Sequence, residues 1–261
     1  MLNVEQIQNH FPPLINENPA HKKYMIKEFI QLMILNFLAT SKFAKKITFI
    51  GGTNLRLVKG IDRFSEDLDF DCKDFSAENF QDMSQSVLTF LRRSGIRAET
   101  REKQSEKLTA FRSNIYFPEL LFDLGLSAYK EERFLIKLES QNQEFEYVPK
   151  MANISGCGFF FSFPVPPDDV LCAMKLSALL SRAKGRDFYD ALFLLSQTKP
   201  NYDYLSLKQD IHNLSELKTK IKETIKKVDL PHKSNDFEHL LFNKANKEKI
   251  LNFSEFIRKL N

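Results

Sequence analysis

Tryptophan is absent from the 261 residues, and glycine (8) and cysteine (3) are scarce. The three cysteines, Cys72, Cys157 and Cys172, are widely spaced and form no CxxC pair. That argues against a disulfide framework or a zinc ribbon and suits a reducing compartment. No apolar run approaches the ~20 residues that a bilayer-spanning helix requires. The opening MLNVEQIQNHFPP lacks the charged-then-apolar layout of a signal peptide. A soluble, cytoplasmic protein with no membrane partner is expected. None of the five histidines stands in a metal-binding or triad spacing with a partner, so hydrolase chemistry has little support.

What is present is ordinary globular material: 43% hydrophobic and 28% charged residues, with 25 phenylalanines to fill a core. The net charge of +4 is compatible with a polyanionic partner. Residues 22–40, KKYMIKEFIQLMILNFLAT, carry apolar side chains at helical spacing. A short strand is expected at Lys46–Ile50, then a Gly-Gly break, a helical TNLRLVKG and a strand at LDFD. SAENFQDMSQSVLTFLRRSG reads as a helix with a serine cap and a glycine stop. Three strand-like runs follow, LTAFRSNIYF, LLFDLGLSAY and RFLIKLESQ.

This order predicts an α/β (α+β) sheet with flanking helices. GCGFFFSFPVPPDD, residues 156–169, reads as a Gly/Pro-rich connector. Two units are therefore expected, residues 1–155 and an all-helical 165–261. In the second, Asp168 or Asp169 is placed to cap the first helix. The chain contains no internal repeat and no low-complexity tract.

The informative stretch is FIGGTNLRLVKGIDRFSEDLDFD, residues 49–71. A strand that ends in Gly-Gly and runs into a helix exposes backbone N–H groups where phosphate oxygens bind well. Asp67 and Asp69 are i and i+2 on a strand, so they share one face while Leu68 and Phe70 face the other. Two adjacent carboxylates repel unless a cation joins them, and Mg²⁺ held by one or two carboxylates with substrate phosphates is the usual solution. A solvated acidic edge strand would carry the same residues. The upstream Gly-Gly-Thr favours the metal site.

GGTNLRL followed by RFSEDLDF resembles the nucleotidyltransferase motif pair of the DNA-polymerase-β-like superfamily, and more closely the AbiEii toxin family. A third motif matches as a helix from Lys175 through Arg182 to Arg186-Asp187-Phe188-Tyr189-Asp190. The resemblance covers about residues 20–195 and implies a polymerase-β-like sheet followed by a helical domain. It implies that Gly51, Gly52 and Thr53 cradle the NTP phosphates, with Arg63 and Ser65 as further triphosphate contacts. Asp67 and Asp69 would bind Mg²⁺ and act catalytically.

In this superfamily a third carboxylate comes from a later strand. Glu139 is the choice here and Asp123 its rival, while Asp71 would only support the site. Lys175 and Arg182 lie two turns apart on one helical face, suited to neutralising triphosphate or developing charge. Asp187 resembles a family position important for activity, as a base or as the residue that orients the lysine. Arg186 and Asp190 read as a structural i,i+4 ion pair.

The resemblance implies a Mg²⁺-dependent nucleotidyltransferase that moves NMP from an NTP to an acceptor, with tRNA 3′ ends as one class, and acts as the toxin of a toxin–antitoxin pair. The implied partner is an antitoxin, often a winged-helix protein. Lys-rich helices from Lys218 to Lys227 suit RNA phosphate contacts. Two other readings fit the same residues. One is a transferase that modifies a protein side chain with a nucleotide. The other is a non-catalytic nucleotide-binding module.

Overall fold

The computed structural model describes residues 2–100 and 111–260. Two short helices, α1 (Val4–Gln8) and α2 (Pro13–Asn16), precede the long α3 (Lys22–Ala39). Apolar residues surround α3 on most sides, so it is buried, with Met25, Ile26, Ile30, Ile34, Leu35 and Leu38 at the core. Strand β1 (Ile47–Ile50) then runs directly into α4 (Gly51–Leu57), which is followed by β2 (Asp67–Cys72). Helix α5 (Ala77–Arg93) starts at Ser76, whose hydroxyl accepts the N–H of Asn79 at 3.2 Å. After it come β3 (Glu99–Thr100), β4 (Phe111–Tyr116), α6 (Leu120–Asp123) and β5 (Leu135–Gln141).

These strands form one sheet in the order β1-β2-β5-β4-β3. β2 and β5 are parallel and the remaining pairs antiparallel. The first three residues of the expected strand LTAFRSNIYF lie outside the described residues.

Two sequence expectations need correction. LLFDLGLSAY is not a strand. Its start is the single helical turn α6, where Asp123 N donates to Glu119 O at 2.9 Å and Leu124 N to Leu120 O at 3.1 Å. Glu119 enters at φ 58° and Gly125 leaves at φ 67°. Left-handed residues at both ends leave no room for an extended run.

The second correction concerns GCGFFFSFPVPPDD. Most of it is the turn and second strand of a hairpin, β6 (Lys150–Gly156) and β7 (Phe159–Val165). Cys157 (φ 49°) and Gly158 (φ 83°) form a two-residue connection with both φ positive, the type I′ geometry that suits strand twist. Phe163 of β7 is fully buried, its ring 6.0 Å from those of Phe49 and Phe70. This packing fixes which face of β1 and β2 is the core.

The helical remainder begins with α7 (Asp168–Arg182) and α8 (Gly185–Leu195). α9 (Tyr202–Gln209), α10 (Leu214–Lys226), α11 (Leu230–Asn235) and α12 (Phe253–Lys259) complete it. The residue at the cap of α7 is Pro167, with no side-chain cap. Asp168 and Asp169 instead occupy the first turn, where Asp169 accepts from Asn201 Nδ2 at 2.8 Å. Carboxylates there still complement the positive end of the helix.

The chain divides into two compact units. The first comprises Met1–Gly60, Phe64–Glu144 and Pro149–Val165. The second comprises Ile61–Arg63, Phe145–Val148 and Pro166–Asn261. Ile61–Arg63 is stitched into the helical unit by a bridge between Arg63 and Leu241 and by Phe242 N donating to Asp62 O at 3.2 Å. The helical core is aromatic, with Phe188 edge-on to Phe253 at 5.2 Å. Among the described residues, no helix is long and apolar enough to cross a membrane.

Candidate active site

The turn from β1 into α4 requires glycine at position 51. Gly51 adopts φ +84°, and a Cβ built there would lie 2.0 Å from Asp69 Oδ2. The carboxylate of Asp69 therefore occupies the space that any side chain at 51 would need. Behind it, Asn54 Nδ2 donates to Phe49 O at 2.7 Å and holds the end of β1 to the start of α4. Thr53 is fully buried and its hydroxyl donates to the main-chain carbonyl of Asp67.

Along β2, Leu68 and Phe70 are buried while Asp67 and Asp69 are half-buried on the opposite face. The parallel register with β5 sets Asp67 beside Lys137 and Asp69 beside Glu139. Lys137 Nζ stands 3.8 Å from Asp67 Oδ1, and Arg112 Nε stands 2.6 Å from Glu139 Oε1. Lys137 and Arg112 are both more than two-fifths exposed, so each pair contributes about 0–1 kcal/mol. Their importance is to balance a face that carries three carboxylates.

Asp71, buried further along the strand, accepts from Gln143 N at 2.9 Å and supports the loop after β5. Asp123 lies exposed on α6, off the sheet. Among the described residues, no three His, Cys, Asp or Glu side chains are gathered closely enough to form a complete metal cage.

Helix α3 supports this arrangement through three polar residues that periodicity alone overlooks. Glu28 takes both Nε (2.8 Å) and Nη2 (3.0 Å) of Arg56, which fixes α4. Lys27 pairs with Glu66 at 3.1 Å, and Gln31 Nε2 donates to Ser65 O at 3.2 Å, which together fix the approach to β2. The available signal was three polar residues, at 27, 28 and 31, interrupting a buried helix. Ser65 itself is buried.

Arg63 is 1% exposed, and its guanidinium makes a bidentate pair with Asp190 in which Nε and Nη2 each lie 2.8 Å from a carboxylate oxygen. Lys175 Nζ donates to the same carboxylate at 3.0 Å. Asp190 is fully buried, which pushes its carboxyl up, but Arg63 and Lys175 outweigh burial and hold it below the ordinary carboxylate range. The expected Arg186–Asp190 pair is therefore replaced: the partners of Asp190 are Arg63 and Lys175.

Asp187, also buried, takes Arg182 in a second bidentate pair at 2.8 and 2.9 Å and accepts Lys184 N at 3.1 Å, closing the first turn of α8. The residue that orients Lys175 is thus Asp190, whereas Asp187 orients Arg182. Nearby, the Tyr189 hydroxyl donates to Asp62 at 2.7 Å, and burial followed by that carboxylate pushes the phenol far up.

In the first unit the structure therefore sets Gly51 against Asp69, Thr53 against Asp67, and Glu139 in register with Asp69. Arg63 and Lys175 meet at Asp190 in the second, and Arg182 meets Asp187.

Comparison with known proteins gives the same chemistry a family. The model described as "Nucleotidyl transferase AbiEii toxin, Type IV TA system" matches residues 34–259. Among solved structures, the fold is similar to MenT4, a nucleotidyltransferase toxin from Mycobacterium tuberculosis H37Rv. The TM-score is 0.57 at 15% identity, over 98% of this chain and 99% of that one. It is also similar to JHP933 from Helicobacter pylori, with TM-score 0.54 and 20% identity over 91% of each chain. No curated protein matches significantly in sequence.

Proposed function

The chain belongs to the AbiEii family of nucleotidyltransferase toxins from type IV toxin–antitoxin systems, and on that premise we propose that it transfers NMP from an NTP to the 3′ end of tRNA in a Mg²⁺-dependent reaction. The observation that carries the reading is the meeting of Gly51 with Asp69 beside the Asp67–Asp69 face of β2. An acceptor hydroxyl attacks the α-phosphorus, and pyrophosphate leaves.

The residues suit a small hard cation. Asp67 and Asp69 offer oxygen donors on one face, and the bare Cα of Gly51 gives Asp69 Oδ2 the space that a Cβ would take. Two carboxylates completed by phosphate oxygens are a common Mg²⁺ arrangement, so a full protein cage is not needed. When bound, the metal would neutralise charge on the phosphates undergoing transfer. Glu139, in register with Asp69, is the proposed third carboxylate.

Backbone N–H groups of Gly51 and Gly52 take phosphate oxygens, with Ser65 on the segment that leads into Asp67; the Arg63 guanidinium, buried against Asp190, is not among these contacts. Lys175 and Arg182 supply cationic groups for an anionic substrate, held by Asp190 and Asp187.

An RNA acceptor is favoured by α10. Leu217 and Ile221 face inward, whereas Lys220, Lys222, Lys226 and Lys227 are exposed where they can meet a phosphate backbone. Lys218 is engaged with Leu260 O at 2.6 Å. The antitoxin partner of the family is taken to be a winged-helix protein, and the setting the cytoplasm.

The acceptor is tested with total tRNA whose 3′-terminal diols have been oxidised by periodate. Intact tRNA is expected to take label from an α-labelled NTP and oxidised tRNA to take none. Equal labelling of both would exclude the 3′ end. Label on protein in a cell extract, with none on tRNA, would move the acceptor class to a protein side chain.

A further inference from the structure

Thr53 closes a gap that the sheet itself leaves. The ladder between β1 and β2 ends at Ile50↔Asp69, two residues short of Asp67, because the chain turns into α4 at Gly51. The Thr53 hydroxyl then donates to the carbonyl of Asp67. A threonine hydroxyl has a single proton to donate, and here it is committed to that carbonyl. With 0% of the residue exposed, no surface remains for a triphosphate. In the same triplet, Gly51 makes room for the carboxylate of Asp69.

We infer that Thr53 is a positioning residue: its hydroxyl continues the β1–β2 ladder by one bond and so sets Asp67 as a metal ligand, rather than contacting nucleotide. Gly51 and Thr53 together form a template, one member for each carboxylate of the Asp67–Asp69 pair. Gly52 lies between them and supplies the backbone N–H for phosphate. Because this inference rests on the proposed metal site, its test reads the metal directly.

The full-length protein, as wild type, Thr53→Val and Thr53→Ser, is titrated with Mn²⁺ in the absence of nucleotide, and free Mn²⁺ is followed by electron paramagnetic resonance. KM for the NTP is measured in parallel by label transfer, and folding by circular dichroism. Valine keeps the shape and removes the donor, and is expected to weaken Mn²⁺ binding about tenfold, in the range typical of groups that orient a metal ligand. KM for the NTP should stay unchanged. Serine keeps the donor and should match wild type in both.

Unchanged Mn²⁺ affinity in Thr53→Val with a raised KM would overturn the inference in favour of a phosphate contact. Unchanged affinity and KM with lowered thermal stability would reduce Thr53 to a packing residue. If the valine variant does not fold, Thr53→Ala replaces it, with the same expected and contradicting results. A serine variant as weak as either also contradicts the inference. A wild-type protein that binds no Mn²⁺ would sink the metal site itself along with the role given to Thr53.

Discussion

Gly51 and Asp69 approach so closely that a side chain on Gly51 has no place: its Cβ would stand 2.7 Å from Asp69 Cβ as well as 2.0 Å from Oδ2. The conformation adds strain, since φ +84° is costly for an L-residue by about 1–2 kcal/mol. Gly51→Ala must therefore displace either the strand-to-helix turn or the carboxylate. Loss of NMP transfer by at least about 100-fold is expected, equivalent to roughly 2.7 kcal/mol of transition-state stabilisation. Thermal unfolding should show only a small decrease. Steady-state kinetics and a melting curve on the same preparation check both.

The Arg63–Asp190–Lys175 cluster predicts an asymmetric mutational result. Asp190→Ala leaves the buried Arg63 guanidinium without its bidentate partner and should cost about 3–5 kcal/mol. Removing both ends together, as Arg63→Met with Asp190→Leu, should cost less than the single change. Urea denaturation of the three proteins measures this.

The same cluster sets a pH dependence. The folded carboxyl of Asp190 lies below its ordinary value of 3.8, so its contribution to stability is present above that value and is lost as pH falls below it. Wild-type melting temperature should fall more steeply below about pH 4 than that of Asp190→Asn. Parallel slopes would remove Asp190 from the account of acid sensitivity.

Much of this architecture was legible in the sequence, and the exceptions have physical causes. Helices α3 and α5 and the β1–α4–β2 passage follow from periodicity and from the Gly-Gly break. The β6–β7 hairpin was hidden because Gly156, Gly158 and Pro164 have the composition of a linker. Only the positive φ of Cys157 and the burial of Phe163 reveal a strand pair. The partner of Asp190 could not be read locally, because Arg63 lies 127 residues away. Helical spacing suggested Arg186 instead.

For the carboxylate face, the register argues that Glu139 matters and Asp123 does not. Glu139→Gln keeps size and removes charge beside Asp69, and should lower kcat about tenfold or more. Asp123→Asn, exposed on α6, should behave as wild type. The reverse ranking in initial-rate measurements would place the third carboxylate elsewhere.

Asp187→Asn should weaken the start of α8 and its grip on Arg182 together, at a cost of about 1–2 kcal/mol. If Asp187 acts by holding Arg182, then Arg182→Gln and the double variant should lose the same activity as Asp187→Asn. Additive losses would mean that Asp187 acts on its own.

The most direct test of the central claim is transfer of label from each α-labelled NTP to total tRNA with Mg²⁺, comparing wild type with Asp67→Asn and Asp69→Asn. The account predicts label on RNA with the wild type and a loss of at least about 100-fold in either variant, both still folded. Undiminished transfer by the two variants would contradict it.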